Sequence, residues 1–238
     1  MKADIIGLQE VSFKESNQLN DLVQVDDYEQ YLAEAQLCIG EVNDTVDPEF
    51  NIDGLAILLS NKLMKKAKSQ NHKVLHISAT RVAHMLTVEV DDLKVNLINL
   101  HLHHPEEDES VRVHQIWSIL KWIEYNTKQD DLTIMLGDFN AEPDSKTYQT
   151  ILEKGYVSSH MKVHSCEPIN TFHNRIEAPY KDASPDGTFD YIFVKDNKNS
   201  KLVWDIKAVS IHGQEESTVD KGIYASDHYA LVAEFVIG

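Results

Sequence analysis

Short apolar runs, rich in β-branched side chains, recur from one end of the chain to the other. Residues 5–11, 54–60, 74–79, 85–90 and 95–102 are predicted as strands on length and composition, and residues 132–136, 189–194, 203–211 and 230–236 follow in the second half. Val90-Asp91-Asp92-Leu93-Lys94 reads as a hairpin turn between two of them. Helical periodicity is rarer. Val111, Gln115, Ser118 and Trp122 share one helical face, with Ile116 and Ile119 beside it, and a second helix is predicted from near Ser145 with Tyr148, Ile151 and Leu152 turned inward. The polar stretches at 106–109 and 196–200 are expected to be solvated loops. Many strands with a few interleaved helices indicate an α/β sandwich rather than a bundle. No repeat or low-complexity linker divides the pattern, so a single domain over residues 1–238 is expected.

Composition changes this picture little, and charge changes it more. Apolar residues make up 42% and charged residues 26%, ordinary values for a globular protein. There is no apolar run of the roughly eighteen residues that a membrane-spanning helix needs, nor a signal-peptide pattern at the start. Cys38 and Cys166 are too far apart for a metal-binding spacing and form no disulfide framework, so a cytoplasmic, reducing compartment is expected. Lys plus Arg number 22 against 39 Asp plus Glu, a formal net charge of −17. A duplex-DNA binder carries a basic footprint, because neutralised phosphates supply most of its affinity. With only Arg81, Arg112 and Arg175 as arginines, duplex DNA is the less expected partner, although a bound metal can reverse the field of a site.

Acidic and imidazole side chains fall repeatedly at the C-terminal ends of the predicted strands. Glu10 ends the first run, His101 ends the run from Val95, Asp138 and Asn140 follow Leu136-Gly137, and Asp227-His228 precede the last run. Strand ends on one rim are where α/β folds gather sites from distant sequence. Taken singly, each residue has a plain explanation: Glu10 as a solvated turn residue, Asp138 and Asn140 as caps, His101 as one of an exposed cluster with His103 and His104. Taken together they are harder to set aside.

In combination, Leu8-Gln9-Glu10, Asn99-Leu100-His101-Leu102, Gly137-Asp138-Phe139-Asn140, Asp190-Tyr191-Ile192-Phe193 and Ser226-Asp227-His228 resemble, in order and approximate spacing, the endonuclease/exonuclease/phosphatase superfamily. The resemblance spans residues 4–235. It implies a DNase I-like fold: a four-layer α/β sandwich with two packed mixed β-sheets flanked by helices. It also implies Mg²⁺- or Mn²⁺-dependent hydrolysis of a phosphate ester, more in keeping with a phosphodiester than a simple monoester, by direct attack of an activated water. By the same resemblance Glu10 is the principal metal ligand, and Asp227 joins or borders the metal site. Asp138 aligns or deprotonates the water, Asn140 holds a phosphoryl oxygen, and His228 lies at the scissile phosphate, oriented by Asp190. His101 matches an imidazole often assigned as proton donor to the leaving group. Arg112 and Gln115 match an Arg-x-x-Gln with a structural role, and Thr171-Phe172-His173 matches a segment that lines the site or is simply a loop. His103, His104, His160 and His164 have no such support and are expected at the surface.

Two departures matter. Family members carry one more strand before Asp4, ending in an Asn at the metal site, and this sequence lacks it. Where members have Arg-Ile-Asp-Tyr, this chain has Thr188-Phe189-Asp190-Tyr191. Substrate classes compatible with the acidic surface are a small molecule, a lipid headgroup or a single-stranded nucleic acid, with 174–187 and 213–225 as specificity loops. The alternative is a catalytically impaired binding module of the same fold. Convergence of Glu10, Asp138, Asp190 and Asp227 favours a dication on physical grounds: two like charges about 4 Å apart repel by roughly 4 kcal/mol at intermediate dielectric, and oxygen-only ligands suit Mg²⁺ or Mn²⁺.

Overall fold

The computed structural model describes residues 2–12, 19, 27–35, 53–78, 80–90, 93–104, 108–174, 185–195, 204–219 and 222–237. The strands are β1 (Ile5–Ser12), β2 (Tyr28–Glu34), β3 (Asp53–Ser60), β4 (Ala67–His76), β5 (Val82–Val90), β6 (Leu93–His101), β7 (Leu132–Asp138), β8 (Tyr156–Ser158), β9 (Asp190–Lys195), β10 (Trp204–His212) and β11 (Ala230–Ile237). The helices are α1 (Asn61–Met64), α2 (Glu109–Asn126), α3 (Lys146–Glu153) and α4 (Ser159–His164).

Six strands form one mixed sheet in the order β4-β5-β6-β7-β9-β8. Among the described residues of this sheet only β6 and β7 run parallel, and α2 makes the crossover that parallel neighbours require. Successive residues on a strand point to opposite faces, so adjacent apolar pairs serve two cores. Met85, Ile98, Met135 and Phe193 face Ile116, Ile119, Leu120 and Ile123 of α2 and Tyr148 and Ile151 of α3. Their neighbours Leu86, Leu97, Ile134 and Val194 face the other way, onto Ile57 and Leu59 of β3 and Ile206 and Val209 of β10. The resemblance implies one mixed sheet for that second β layer. Among the described residues it comprises two antiparallel pieces, β1-β3-β2 and β10-β11, packed on the same face of the large sheet.

The predicted strands all occur, with shifted ends. β4 begins at Ala67 rather than near Val74, because its first half is a polar, exposed edge with no apolar pattern to read. β2 has no counterpart among the predicted strands because its polar residues Glu29, Gln30 and Glu34 fall on both faces and break the alternation, and β8 is only three residues long. The inward face of α2 also needs correction: Arg112, Gln115, Ile116, Ile119, Leu120 and Ile123 are buried, while Val111 and Ser118 are exposed. Glu109, expected in a loop, opens that helix, and its carboxylate accepts from the Thr147 N–H at 3.1 Å. Ser145 caps α3 as its start predicts, accepting from the Tyr148 N–H at 3.1 Å. The turn at 91–92, the loop residues 106–107 and 196–200, most of 174–187, Cys38 and Arg175 lie outside the described residues. Among the described residues no helix is long and apolar enough to cross a membrane.

Candidate active site

Strand register alone brings three chemical groups side by side. His101, last in β6, pairs with Asp138, last in β7, and Asp138 pairs in turn with Asp190, first in β9. The parallel β6–β7 pair and the antiparallel β9 therefore present an imidazole and two carboxyls on one rim. His101 Nε2 lies 3.5 Å from Asp138 Oδ2. β1 adds Glu10 from the facing layer. Its pairing with β3 slips between Leu8 and Val11, and Glu10 takes a φ of 54° within that bulge. A bulge beside a site re-aims a side chain. Here it leaves Glu10 69% exposed, with Oε1 4.0 Å from His101 Nε2.

Buried amides fix this placement. Asn99, inside β6, donates to the carbonyls of Leu8 at 2.9 Å and Ala56 at 3.0 Å and accepts from Gln9 Nε2 at 2.6 Å. It thus ties β1 and β3 to the strand that carries His101. A Cβ on Gly7 would stand 2.0 Å from Leu136 Cδ1, so a glycine lets β1 lie close on β7. Gly137 is more constrained: its φ is 133°, and a Cβ there would meet the Leu100 carbonyl oxygen at 2.0 Å. Beyond it the chain folds back so that Asn140, with φ 47°, donates its N–H to Asp138 Oδ1 at 2.8 Å. The Asn140 side-chain amide donates to Asp138 Oδ2 at 3.3 Å and to the Leu102 carbonyl at 3.1 Å.

His228 arrives from the loop before β11. Its Nδ1 is 2.8 Å from Asp190 Oδ2 and its Nε2 is 4.0 Å from Asp138 Oδ2. Since a carboxylate can only accept, Nδ1 carries the proton toward Asp190. Burial opposes a charge on this ring, but the hydrogen bond and charge of Asp190, with Asp138 and Asp227 behind them, hold it up at about 10. His101 differs. Burial, then the charges of Arg81, His228 and His104, push it well below the usual range, so it is neutral at pH 7. Burial and the neighbouring Asp190 raise the Asp138 carboxyl to about 8, against the opposing pull of His228 and the Asn140 N–H.

Asp227 faces the rim less directly. Its Oδ1 is 3.3 Å from Ser226 Oγ and its carbonyl accepts from the His173 N–H, while its charge contributes to raising His228. Among the described residues no three His, Cys, Asp or Glu side chains close on one point as a ready-made metal cage. The chemistry of the donors nevertheless fits a hard dication: all candidate ligands are carboxylate oxygens, and repulsion from Asp190 and Glu10 helps to raise Asp138. By the resemblance it is Glu10 and Asp227 that would hold the ion, while Asn140 engages Asp138 and His228 engages Asp190.

The expected residues are thus largely brought together, and the Thr171-Phe172-His173 segment, expected to line the site or to be simply a loop, supports two of them. Thr171, fully buried, accepts from both the Phe189 and Asp190 N–H groups at 3.0 Å. Phe172 bridges Gly187 and His228 by backbone pairing, and its ring packs 5.1 Å from the His228 ring. His173 stacks on Tyr229 with centroids 4.7 Å apart and bonds the Ser226 carbonyl. The Thr-Phe-His segment therefore holds Asp190 and His228 from behind. The resemblance picks out this segment in the sequence, and a threonine between Asn170 and Phe172 is too common a pattern to decide its role alone. Arg112 and Gln115 are structural, as expected: both bond the backbone of His103 and so pin the segment leaving β6. His103 and His160, expected at the surface, are half-buried, with His103 2.9 Å from Asp108 and His160 bonded to the Cys166 carbonyl.

Solved structures share this fold. D. rerio TDP2 in complex with a single-strand DNA product superposes with a TM-score of 0.75 at 17% identity, over 98% of this chain and 86% of the other. The human Nocturnin catalytic domain with a bound sulfate anion gives 0.69 at 20% identity, over 99% and 81%. A Bacteroides thetaiotaomicron mannosyl-6-phosphatase gives 0.64 at 18% identity, over 98% and 85%. No curated protein sequence matches the chain. The sequence profile of one family matches residues 1–228. The chain belongs to the Endonuclease/Exonuclease/phosphatase family.

Proposed function

We propose that the protein is a divalent-metal-dependent phosphoesterase that hydrolyses a phosphodiester by direct attack of water, with no covalent intermediate. The observation that carries this reading is geometric: Asp138, bonded by the Asn140 N–H at 2.8 Å, faces the Nε2 of His228 at 4.0 Å, and the other nitrogen of that imidazole is held by Asp190 at 2.8 Å. Burial and Asp190 raise the Asp138 carboxyl toward neutrality, so nearby positive charge that lowers its proton affinity would leave it ionised and able to accept a proton.

In this mechanism Asp138 orients the attacking water and takes its proton. The Asn140 side-chain amide turns from Asp138 to hold a phosphoryl oxygen. His228, an imidazolium at pH 7, donates from Nε2 toward the phosphoryl group, and Asp190 fixes its tautomer and orientation. The imidazole of His101 is neutral, which argues for a hydrogen-bonding role and assigns the mobile proton to His228. Glu10 and Asp227 would hold Mg²⁺ or Mn²⁺, which when bound supplies positive charge against the negative charge developing in the transition state. General acid–base help of this kind contributes about 10²–10⁴ in rate.

The net charge of −17 and the single-strand product bound by the TDP2 relative favour a single-stranded nucleic acid, a lipid headgroup or a small phosphodiester over duplex DNA. The test is hydrolysis of an aryl phosphodiester and the matching monoester with Mg²⁺ or Mn²⁺ and after chelation. Metal-dependent turnover, faster on the diester and abolished in Asp138→Asn, is expected. Wild-type rates in Asp138→Asn would overturn the mechanism.

A further inference from the structure

The second β layer covers the large sheet unevenly. β3 packs over β5 and β6, β1 over β6 and β7, and β11 over β9, but among the described residues β1 and β11 are not hydrogen-bonded neighbours. Between them runs the seam of β7 and β9. Leu136 and Ile192 pair across that seam and face the second layer, and both are only half-buried. Ile134 and Val194, next along the same face, are buried, as are Ile57 and Leu59 on the inner side of β3. On the inner side of the two strands that flank the seam, Ile5 of β1 and Leu231, Ala233 and Phe235 of β11 are again half-buried. Side chains between two packed sheets interdigitate to form the core, so half-burial in the middle of the sandwich marks an open groove.

The walls of this groove are strand edges. The Ser60 N–H donates to the Asp4 carbonyl at 2.8 Å, and Ile5 lies opposite Leu59. Antiparallel partners exchange bonds at alternate residues, so Asp4 and Ile6 bond β3 while Ile5 and Gly7 turn their N–H and C=O groups toward the groove. On the other side α4 packs on β10, and His164 bonds the Val209 carbonyl at 2.9 Å, which leaves β11 as the strand of that pair nearer the seam. β1 carries Glu10 toward the rim, and β11 leaves the rim just beyond His228, so the two walls run antiparallel. An intervening strand would be parallel to one and antiparallel to the other.

The occupant is constrained by charge and by pairing. Residues 5–8 of β1 and 230–233 of β11 carry no charge, in a chain of net charge −17, so the complement is an uncharged segment. A strand between two walls needs both of its edges open. Every described strand is already paired on at least one edge, so no such strand of a second copy fits intact. We propose that the groove takes up an extended, uncharged, β-branched strand of another polypeptide, paired with β1 and β11 and with alternate side chains over Leu136 and Ile192. In strand addition of this kind main-chain bonds supply affinity and alternate side chains supply specificity.

The probe is an eight-residue peptide of alternating threonine and valine, matched to the eight residues of β1 and blocked at both ends, with a threonine–asparagine peptide as control. Amide hydrogen exchange of the intact protein, followed by NMR, reads the pairing directly. Without peptide, the Ile5 and Gly7 amides should exchange faster than that of Ile6; saturating probe should slow both by about 10-fold or more, and the control should not. Proline is tolerated at the first position of a strand and where the N–H faces outward, and Ile5 meets both conditions. Ile5→Pro should therefore weaken calorimetrically measured probe binding by about 10-fold. Ile5 and Gly7 amides already as protected as Ile6 without peptide, no uptake of the probe, or protection along the outer edge of β2 instead would each overturn the groove as a strand site. A concentration-dependent dimer that slows the same amides without peptide would replace the partner by a second copy and overturn it too. None of these readouts depends on turnover, so failure here and failure of the phosphoesterase reading are distinguishable.

Discussion

Replacing Asp138 by asparagine should make the metal-free protein more stable while removing its chemistry. Asp138 is buried, and burial together with Asp190 raises its carboxyl from 3.8 to about 8. Its native value lies above its unfolded value, so the stability tied to it is fully present below about 3.8 and is lost as pH rises to about 8. Each unit is worth about 1.4 kcal/mol. At pH 7 the native carboxyl therefore costs up to about 4 kcal/mol relative to a residue that never ionises. The amide introduced by Asp138→Asn would keep an acceptor for the Asn140 N–H but lose the second oxygen that faces the Asn140 side chain, a loss of about 1 kcal/mol. The native carboxyl is mostly protonated at pH 7, so little charge is withdrawn from His228 and a net gain of about 3 kcal/mol remains. Urea unfolding in the presence of a chelator measures it. The gain should fall below about 1 kcal/mol by about pH 5, because the ionisation that favours the unfolded wild type shrinks by about 1.4 kcal/mol per pH unit. An Asp138→Asn protein less stable than wild type at pH 7, or one whose advantage is the same at pH 5, refutes the electrostatic account of the rim.

Three further perturbations probe its supports. Gly137→Ala drives a Cβ onto the Leu100 carbonyl oxygen and should cost about 3 kcal/mol or more, seen as a lower urea midpoint or as insoluble protein. Thr171→Val removes the acceptor shared by the Phe189 and Asp190 N–H groups; it should cost about 1–3 kcal/mol and slow turnover, with Thr171→Ser restoring both. Asp190→Asn should return the His228 imidazole from about 10 toward its ordinary value, which a proton NMR titration reads directly, and an unmoved titration would remove Asp190 as its partner.

Much of this is legible in the sequence because the chemistry sits at the ends of strongly patterned strands. β5, β6 and β7 are apolar on both faces, so their ends, and with them His101 and Asp138, can be placed from the sequence. What cannot be read falls into two kinds. Edge strands carry no apolar alternation, so β2 and the first half of β4 are invisible. Hydrogen bonds between distant polar residues leave no periodic trace either. Nothing local distinguishes Asn99 as the tie between two β layers, or Thr171 as the anchor of Asp190. The face of α2 is misjudged because it is drawn through Val111 and Ser118 and leaves out Arg112, which counts as polar in the pattern although its guanidinium, like the Gln115 amide, bonds the backbone of His103.

The rim also explains how so acidic a protein can receive an anionic ester. With Asp138 held near 8, most of its population carries a proton at neutral pH, and His228 carries a positive charge. Counting Glu10, Asp190 and Asp227 as carboxylates, three negative charges face one positive charge, and two remain uncompensated. In the proposed mechanism Glu10 and Asp227 would hold Mg²⁺, whose positive charge would offset these carboxylates and favour the ionised form of Asp138, the form that can accept a proton. The acidity of the outer surface then acts on substrate choice without setting the sign of the potential at the site itself.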